Sequence, residues 1–195
     1  MQLCFATNNA HKLEEIKALL GDSFTLKTLK EIGCEEELPE TTDTIEGNSR
    51  QKAEYVWEHF GIDCFADDSG LEITALNGAP GVHSAYYSGS RDFQQNIARV
   101  LTELKSHTDR SARFKTVITL VLNGEVHQFE GIAEGHLLEA QRGVQGFGYD
   151  PIFVPEGHER TFAEMSIDEK GKLSHRARAF AKLVAFLQTY SGINS

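Results

Sequence analysis

Asn123-Gly124 stands between two long runs of strand-forming residues, 114–122 and 125–132. An Asn-Gly pair readily takes up the left-handed backbone of a two-residue turn, so the two runs are predicted to pair as an antiparallel hairpin. Elsewhere short apolar runs alternate with stripes of helical period. Residues 2–6 and 24–29 read as strands, with Leu13, Ile16, Leu19 and Leu20 marking a helix between them that Gly21 is expected to stop. Ala53, Val56, Trp57 and Phe60 mark a helix ended by Gly61, and Phe93, Ile97, Val100, Leu101 and Leu104 mark another. Residues 64–66 read as a strand that enters a turn at Asp67-Asp68-Ser69-Gly70 and resumes over 71–75. Residues 151–154 read as a short strand. Ala177, Phe180, Ala181, Val184 and Leu187 predict a C-terminal helix with Ser174 as its N-cap. Strand–helix units joined to a hairpin imply an α/β fold with a mixed sheet.

The length of 195 residues predicts a single domain over 1–195. No apolar stretch approaches the roughly 20 residues that span a bilayer. The opening Met1-Gln2-Leu3-Cys4-Phe5-Ala6 lacks a basic start and meets polar Thr7-Asn8-Asn9 at once, as a buried strand does and a leader does not. Three cysteines, an odd number without a C-x-x-C, imply neither a disulfide framework nor a zinc ribbon, and a reducing cytoplasmic location is expected. The net charge of −10 argues against nucleic-acid binding, which requires a surplus of Lys and Arg. It leaves room for a small anionic ligand in a locally basic pocket.

Four segments carry residue types suited to chemistry. Thr7-Asn8-Asn9-Ala10-His11-Lys12 lies between a strand and a helix, where free backbone N–H groups and the helix dipole can hold an anion. A phosphate there would account for Lys12, which otherwise opposes the dipole; the plain alternative is an Asn9 cap beside a solvated lysine. Asp67-Asp68-Ser69-Gly70 places adjacent carboxylates between apolar residues, an arrangement that a hard divalent cation would relieve and that an Asx turn would leave solvated. Gly143-Val144-Gln145-Gly146-Phe147-Gly148-Tyr149-Asp150-Pro151 offers close backbone approach, two aromatic faces for a base and an acceptor in Asp150, or else a tight turn whose aromatics plug the core. Lys170, Lys172, Ser174, His175, Arg176 and Arg178 form a cationic run at the start of the last helix, either facing an anion or solvated. Among the acids of residues 31–46, Glu40 is the candidate for a second metal carboxylate. The eight histidines show no zinc spacing. Together these residues point to a nucleoside triphosphate with Mg²⁺ and to phosphoryl chemistry.

Five motifs occur in order: Thr7 to Lys12, Phe65-Ala66-Asp67-Asp68-Ser69-Gly70-Leu71, Gly78-Ala79-Pro80-Gly81-Val82-His83-Ser84-Ala85, Gly146-Phe147-Gly148-Tyr149-Asp150-Pro151-Ile152-Phe153 and Ser174-His175-Arg176. In these the sequence closely resembles the inosine/xanthosine triphosphate pyrophosphatase family, over nearly the whole chain. The resemblance implies an elongated mixed α/β fold with two lobes around a central cleft, a homodimer and Mg²⁺. It implies hydrolysis of ITP, dITP or XTP to the monophosphate and pyrophosphate. By the same resemblance Asp68 is general base and metal ligand, with Glu40 a further ligand. Thr7, Asn8, Asn9, Ala10, His11, Lys12, Ser69, Lys170, His175 and Arg176 contact substrate, and Phe147, Gly148, Tyr149 and Asp150 form the base pocket. The chain departs from the family where Gly47 stands in place of an acid in Gly47-Asn48-Ser49-Arg50-Gln51-Lys52-Ala53, which keeps Lys52.

The expected reaction has water, deprotonated near Asp68, attack the α-phosphorus while Lys12, Lys52 and Lys170 clamp the phosphates. A site whose donors meet a 6-oxo group rejects a 6-amino base by about 10⁴-fold or more, which excludes adenine. The rival readings are a pyrophosphatase for modified pyrimidine triphosphates, which would need a smaller pocket, and a nucleotide sensor, which would leave Asp67-Asp68 without a task.

Overall fold

The structure, a computed structural model, describes every residue except Gly21, Ser23, Asn194 and Ser195. The elements are β1 (Gln2–Phe5), α1 (Ala10–Leu20), β2 (Thr25–Lys27), α2 (Ile45–Phe60), β3 (Cys64–Ile73), α3 (Phe93–Leu104), β4 (Ser111–Leu122), β5 (Glu125–Leu137), β6 (Phe153–Pro155), α4 (Ile167–Gly171) and α5 (His175–Ile193), with short 3₁₀ turns between them. The strands form one six-stranded mixed sheet in the order β2-β1-β3-β4-β5-β6. β1 runs parallel to β2 and to β3, with Cys4 opposite Lys27 and Cys64, whereas β5 and β6 are antiparallel. The β4–β5 connection turns at Asn123 and Gly124, whose φ angles of 52° and 83° are the left-handed pair expected of that dipeptide.

The chain divides into two compact units. The first comprises Met1–Asp68, Thr116–Gly131 and Arg176–Ser195. Its part of the sheet is covered on both faces, and the alternation along β1 and β3 says by what. Leu3, Phe5 and Phe65 pack with Ile16 of α1 and with Ala179, Phe180, Leu183 and Leu187 of α5. Cys4, Ala6, Cys64 and Ala66 pack with Ala53 and Val56 of α2 and with Cys34. Strand residues one apart face opposite sides, so large side chains serve one helical layer and small ones the other. The second unit, Ser69–Lys115 and Ile132–His175, has its own core of Leu71, Ile73, Ile97, Val100, Leu104, Phe114, Tyr149, Phe153 and Phe162.

α2 begins at Thr44, whose side chain accepts from Gly47 N–H, and closes on Gly61 in the left-handed conformation, as the sequence leads one to expect. Other elements differ from expectation. The strand expected over 24–29 is only Thr25–Lys27, and the one expected from Pro151 starts at Phe153 after a 3₁₀ turn. The turn expected at Asp67-Asp68-Ser69-Gly70 does not exist: β3 is continuous from Cys64 to Ile73, and Ala75 lies in a 3₁₀ turn beyond it. Lys170 sits on the separate helix α4, not on the C-terminal helix. The stop assigned to Gly21 lies outside the described residues. Among the described residues no helix is long and apolar enough to cross a membrane.

The cysteines are free and buried in one core cluster, and burial pushes the thiols of Cys4 and Cys64 up to about 12. The thiolate is the reactive form. In native protein at pH 8 a chromogenic disulfide reagent is therefore expected to titrate these thiols only as fast as the fold opens, and at once in urea. A rapid phase without denaturant would contradict the burial.

Candidate active site

The unbroken pleat of β3 distributes the two aspartates. Phe65 faces the α1/α5 layer and Ala66 faces α2, so Asp67 falls on the α1/α5 side and Asp68 on the α2 side. The contacts agree. Asp67 Oδ2 lies 3.2 Å from Lys12 Nζ of α1 and accepts from Arg176 Nε of α5 at 3.3 Å. Arg176, only 1% exposed, also binds Glu15 of α1 through its Nη1. From the other face, Lys52 of α2 donates to the backbone oxygen of Asp67 at 2.7 Å and to Glu40 Oε1 at 2.6 Å.

The two carboxylates therefore occupy opposite electrostatic states. Burial alone would raise Asp67, but Lys12, Arg176 and Lys52 outweigh it and hold the group down at about 2. Burial pushes Asp68 up to about 6 against the pull of Lys52 and Lys12, and Glu40 and Asp67 add like-charge repulsion. Burial lowers Lys52 too, yet Glu40 and the two aspartates more than offset it and its ammonium is held above the ordinary value. At Lys12 burial prevails over Asp67, and the ammonium is pushed down.

Asp68 Oδ2 is buried and has no hydrogen-bond partner among the described residues. An ionised oxygen withdrawn from water without donors is costly, and a hard cation ligated by oxygen removes that cost. Among the described residues no three His, Cys, Asp or Glu side chains form a metal-holding group. Asp68 with Glu40 nearby is instead the donor count of a cation that completes its shell with water and substrate phosphate. The residues present fit such an ion.

At the start of α1 the plain alternative holds. Asn9 Oδ1 accepts from His11 N–H at 3.0 Å and Lys12 N–H at 3.2 Å, and Thr7 Oγ1 accepts from Asn9 N–H. Two of the amides expected to hold a phosphate are thus taken by the chain's own cap. Asn8, Ala10 and His11 are exposed, and Lys12 is not solvated but paired with Asp67.

In the second unit Asp150, 3% exposed, accepts from Lys170 Nζ at 2.7 Å and from Phe147 N–H at 3.0 Å through the same oxygen. Lys170 Nζ lies 4.9 Å from the centroid of the Phe147 ring. Gly146 is required here, because a Cβ would fall 2.1 Å from Asp150 Oδ2 and its φ is +73°. Phe147 and Gly148 are half-buried, as a ligand-facing loop would have them. Tyr149 corrects the expectation of a stacking face. It is 4% exposed in the core, and its hydroxyl donates to Ser84 O at 2.7 Å. His175 is buried against Phe114, with ring centroids 4.7 Å apart. Ser69 follows Asp68 on β3 and is half-buried. The cationic run is thus divided: Lys170 answers to Asp150, Arg176 to Asp67 and Glu15, while Lys172 and Arg178 are exposed.

Sequence reasoning missed Glu15 and Ser84. Only the i, i+3 spacing to Lys12 would have placed Glu15 on the same helix face, and Ser84 gives no local signal, since its role is to present a carbonyl to Tyr149.

A mixed α/β sheet whose central strand brings adjacent aspartates among lysines and an arginine defines a class of protein built to meet a charged ligand. More particularly, the Ham1 family profile matches residues 3–186, and the chain belongs to that family. It is 52% identical over 188 residues to a protein of Christiangramia forsetii called dITP/XTP pyrophosphatase, covering 96% of this chain and 99% of that one. A Flavobacterium psychrophilum protein of the same name is 51% identical over 189 residues, covering 96% and 100%. Among solved structures, the Staphylococcus aureus Ham1 protein superposes with a TM-score of 0.89 at 35% identity, covering 97% of this chain and 100% of that one. A Mycobacterium abscessus nucleoside-triphosphatase / dITP/XTP pyrophosphatase superposes with a TM-score of 0.77 at 41% identity, covering 94% and 98%.

Proposed function

We propose that the protein hydrolyses non-standard purine nucleoside triphosphates, namely dITP, ITP and XTP, to the nucleoside monophosphate and pyrophosphate, using Mg²⁺. The observation that carries the reading is the buried, unpartnered Oδ2 of Asp68 beside two lysines. The names borne by relatives of about 50% identity support the substrate class. Asp68 accepts the proton of the attacking water. The new bond forms between that water oxygen and the α-phosphorus, and the α–β anhydride bond breaks to release pyrophosphate. Lys12, whose ammonium burial leaves the less secured of the two, exchanges Asp67 for a phosphate oxygen. Lys52 stays on Asp67 O and Glu40 and keeps the strand and the helix in register. Mg²⁺ held by Asp68 and Glu40, when bound, neutralises charge on the phosphate oxygens.

Phe147, Gly148 and Asp150 with Lys170 form the base-side subsite, in which Lys170 is the donor suited to a 6-oxo group. Tyr149 supports this loop from within the core. The protein acts as a cytoplasmic homodimer, a state supported by the family resemblance and by its free cysteines. Purified protein is given each common and deaminated triphosphate with Mg²⁺ or with chelator, and pyrophosphate and orthophosphate are measured separately. Pyrophosphate from dITP, ITP and XTP, lost on chelation, is the expected result. Orthophosphate alone, equal turnover of ATP, or tight binding without release would overturn the reading.

A further inference from the structure

The face of α2 that carries Lys52 grips the segment before the helix residue by residue. Asn48, Gln51 and Lys52 are spaced i, i+3 and i+4 and so share one side of the helix. Lys52 Nζ donates to Glu40 Oε1 at 2.6 Å. Thr41 N–H donates to Gln51 Oε1 at 2.8 Å, and Gln51 Nε2 donates back to Thr41 Oγ1 at 2.8 Å. Thr42 N–H donates to Asn48 Oδ1 at 2.9 Å, with Thr42 Oγ1 2.9 Å from the same oxygen. Three consecutive residues are matched by three side chains of one helix face.

Gly47 makes the room for this match. A Cβ there would lie 2.4 Å from Thr42 Oγ1 and 2.9 Å from Thr42 Cβ, so any side chain, an acid included, would expel Thr42. The departure at position 47 and the pairing of Thr42 with Asn48 are one feature. The Glu40–Lys52 ion pair does not locate the segment by itself, because the Glu40 side chain is 34% exposed and such pairs constrain little. The amide bonds of the two residues that follow fix the backbone.

We infer that Asn48 and Gln51 are positioning residues for Glu40: they set the register of residues 40–42 on α2 so that its carboxylate stands ready, with Asp68, for a divalent cation. The inference rests on the proposed role of those two carboxylates. Mn²⁺ binding to substrate-free protein, read by the electron-paramagnetic-resonance signal of the free ion, tests it without turnover. Gln51→Ala and Asn48→Ala are expected to weaken Mn²⁺ binding by about tenfold or more, the usual effect of removing a group that orients a ligand. Asn48→Asp, which keeps the acceptor oxygen for Thr42, is expected to restore binding. In a Glu40→Gln background Gln51→Ala is expected to cause no further loss, because both changes act through one group. Gln51 is half-buried, so its variant remains folded and informative even if Asn48→Ala does not.

Wild-type Mn²⁺ affinity in Gln51→Ala, or the same loss with and without Glu40, would overturn the positioning role. Wild-type affinity in Glu40→Gln would overturn it as well, while leaving hydrolysis at Asp68 standing. Failure of the proposed function would look different: Asp68→Asn would keep both Mn²⁺ binding and turnover.

Discussion

Asp68→Asn is expected to lower pyrophosphate release from dITP by about 10²–10⁴-fold, the range a positioned proton acceptor supplies. The fold should survive this change. The amide is isosteric with the carboxylate and replaces an oxygen that has no hydrogen-bond partner among the described residues, so no donor is orphaned by the exchange. Unfolding by urea with metal chelated is expected to give a free energy within about 1 kcal/mol of the parent, the net worth of a typical hydrogen bond. Turnover and unfolding measured on one preparation separate the alternatives. Retained turnover removes Asp68 from the chemistry, and a collapsed fold makes it a structural acid like its neighbour.

Arg176→Met should do the reverse and act first on stability. Arg176 is 1% exposed and is shared by Asp67 and Glu15, two acids that a methionine leaves facing each other with Lys12 as the remaining cation on that side. Breaking a buried ion pair by removing one partner typically costs about 3–5 kcal/mol. Adding Glu15→Gln to Arg176→Met should recover part of the loss, as coupled partners do. A loss below about 1 kcal/mol would show that the network contributes no more than a surface pair. The sign of the acid response follows. Asp67 is held at about 2 in the fold against an ordinary 3.8, so its stabilisation is complete above pH 3.8 and fades as the pH falls through 2. Without Arg176 that group rises, and acid unfolding should begin at a higher pH.

Local signals served wherever a decision was local. The Asn123-Gly124 turn, the Gly61 stop of α2 and the apolar stripe of α3 are all as their residues dictate. The error at residues 67–70 has the opposite origin. Asp, Asp, Ser and Gly each favour turns, and they lie in a strand because cations from α1, α2 and α5 compensate the acids. Glu15 and Arg176 are 161 positions apart, so no window of sequence could pair them. Tyr149 sits between glycines and an acid in a segment that looks solvent-facing, yet a carbonyl 65 residues upstream makes burial of its hydroxyl affordable. The acids of the candidate site were legible as types, whereas which of them is neutralised and which is left unsatisfied depends on the pleat.

That alternation gives β3 an uneven tolerance of change. Side chains along it can be exchanged one at a time, because each answers to its own layer. An inserted or deleted residue between Cys64 and Asp67 would instead turn every later side chain to the wrong side, sending the phenylalanine into the small-residue layer and offering the reactive acid to Arg176. The strand's length, more than the identity of any single residue in it, is the quantity that descent within this family has had to hold constant.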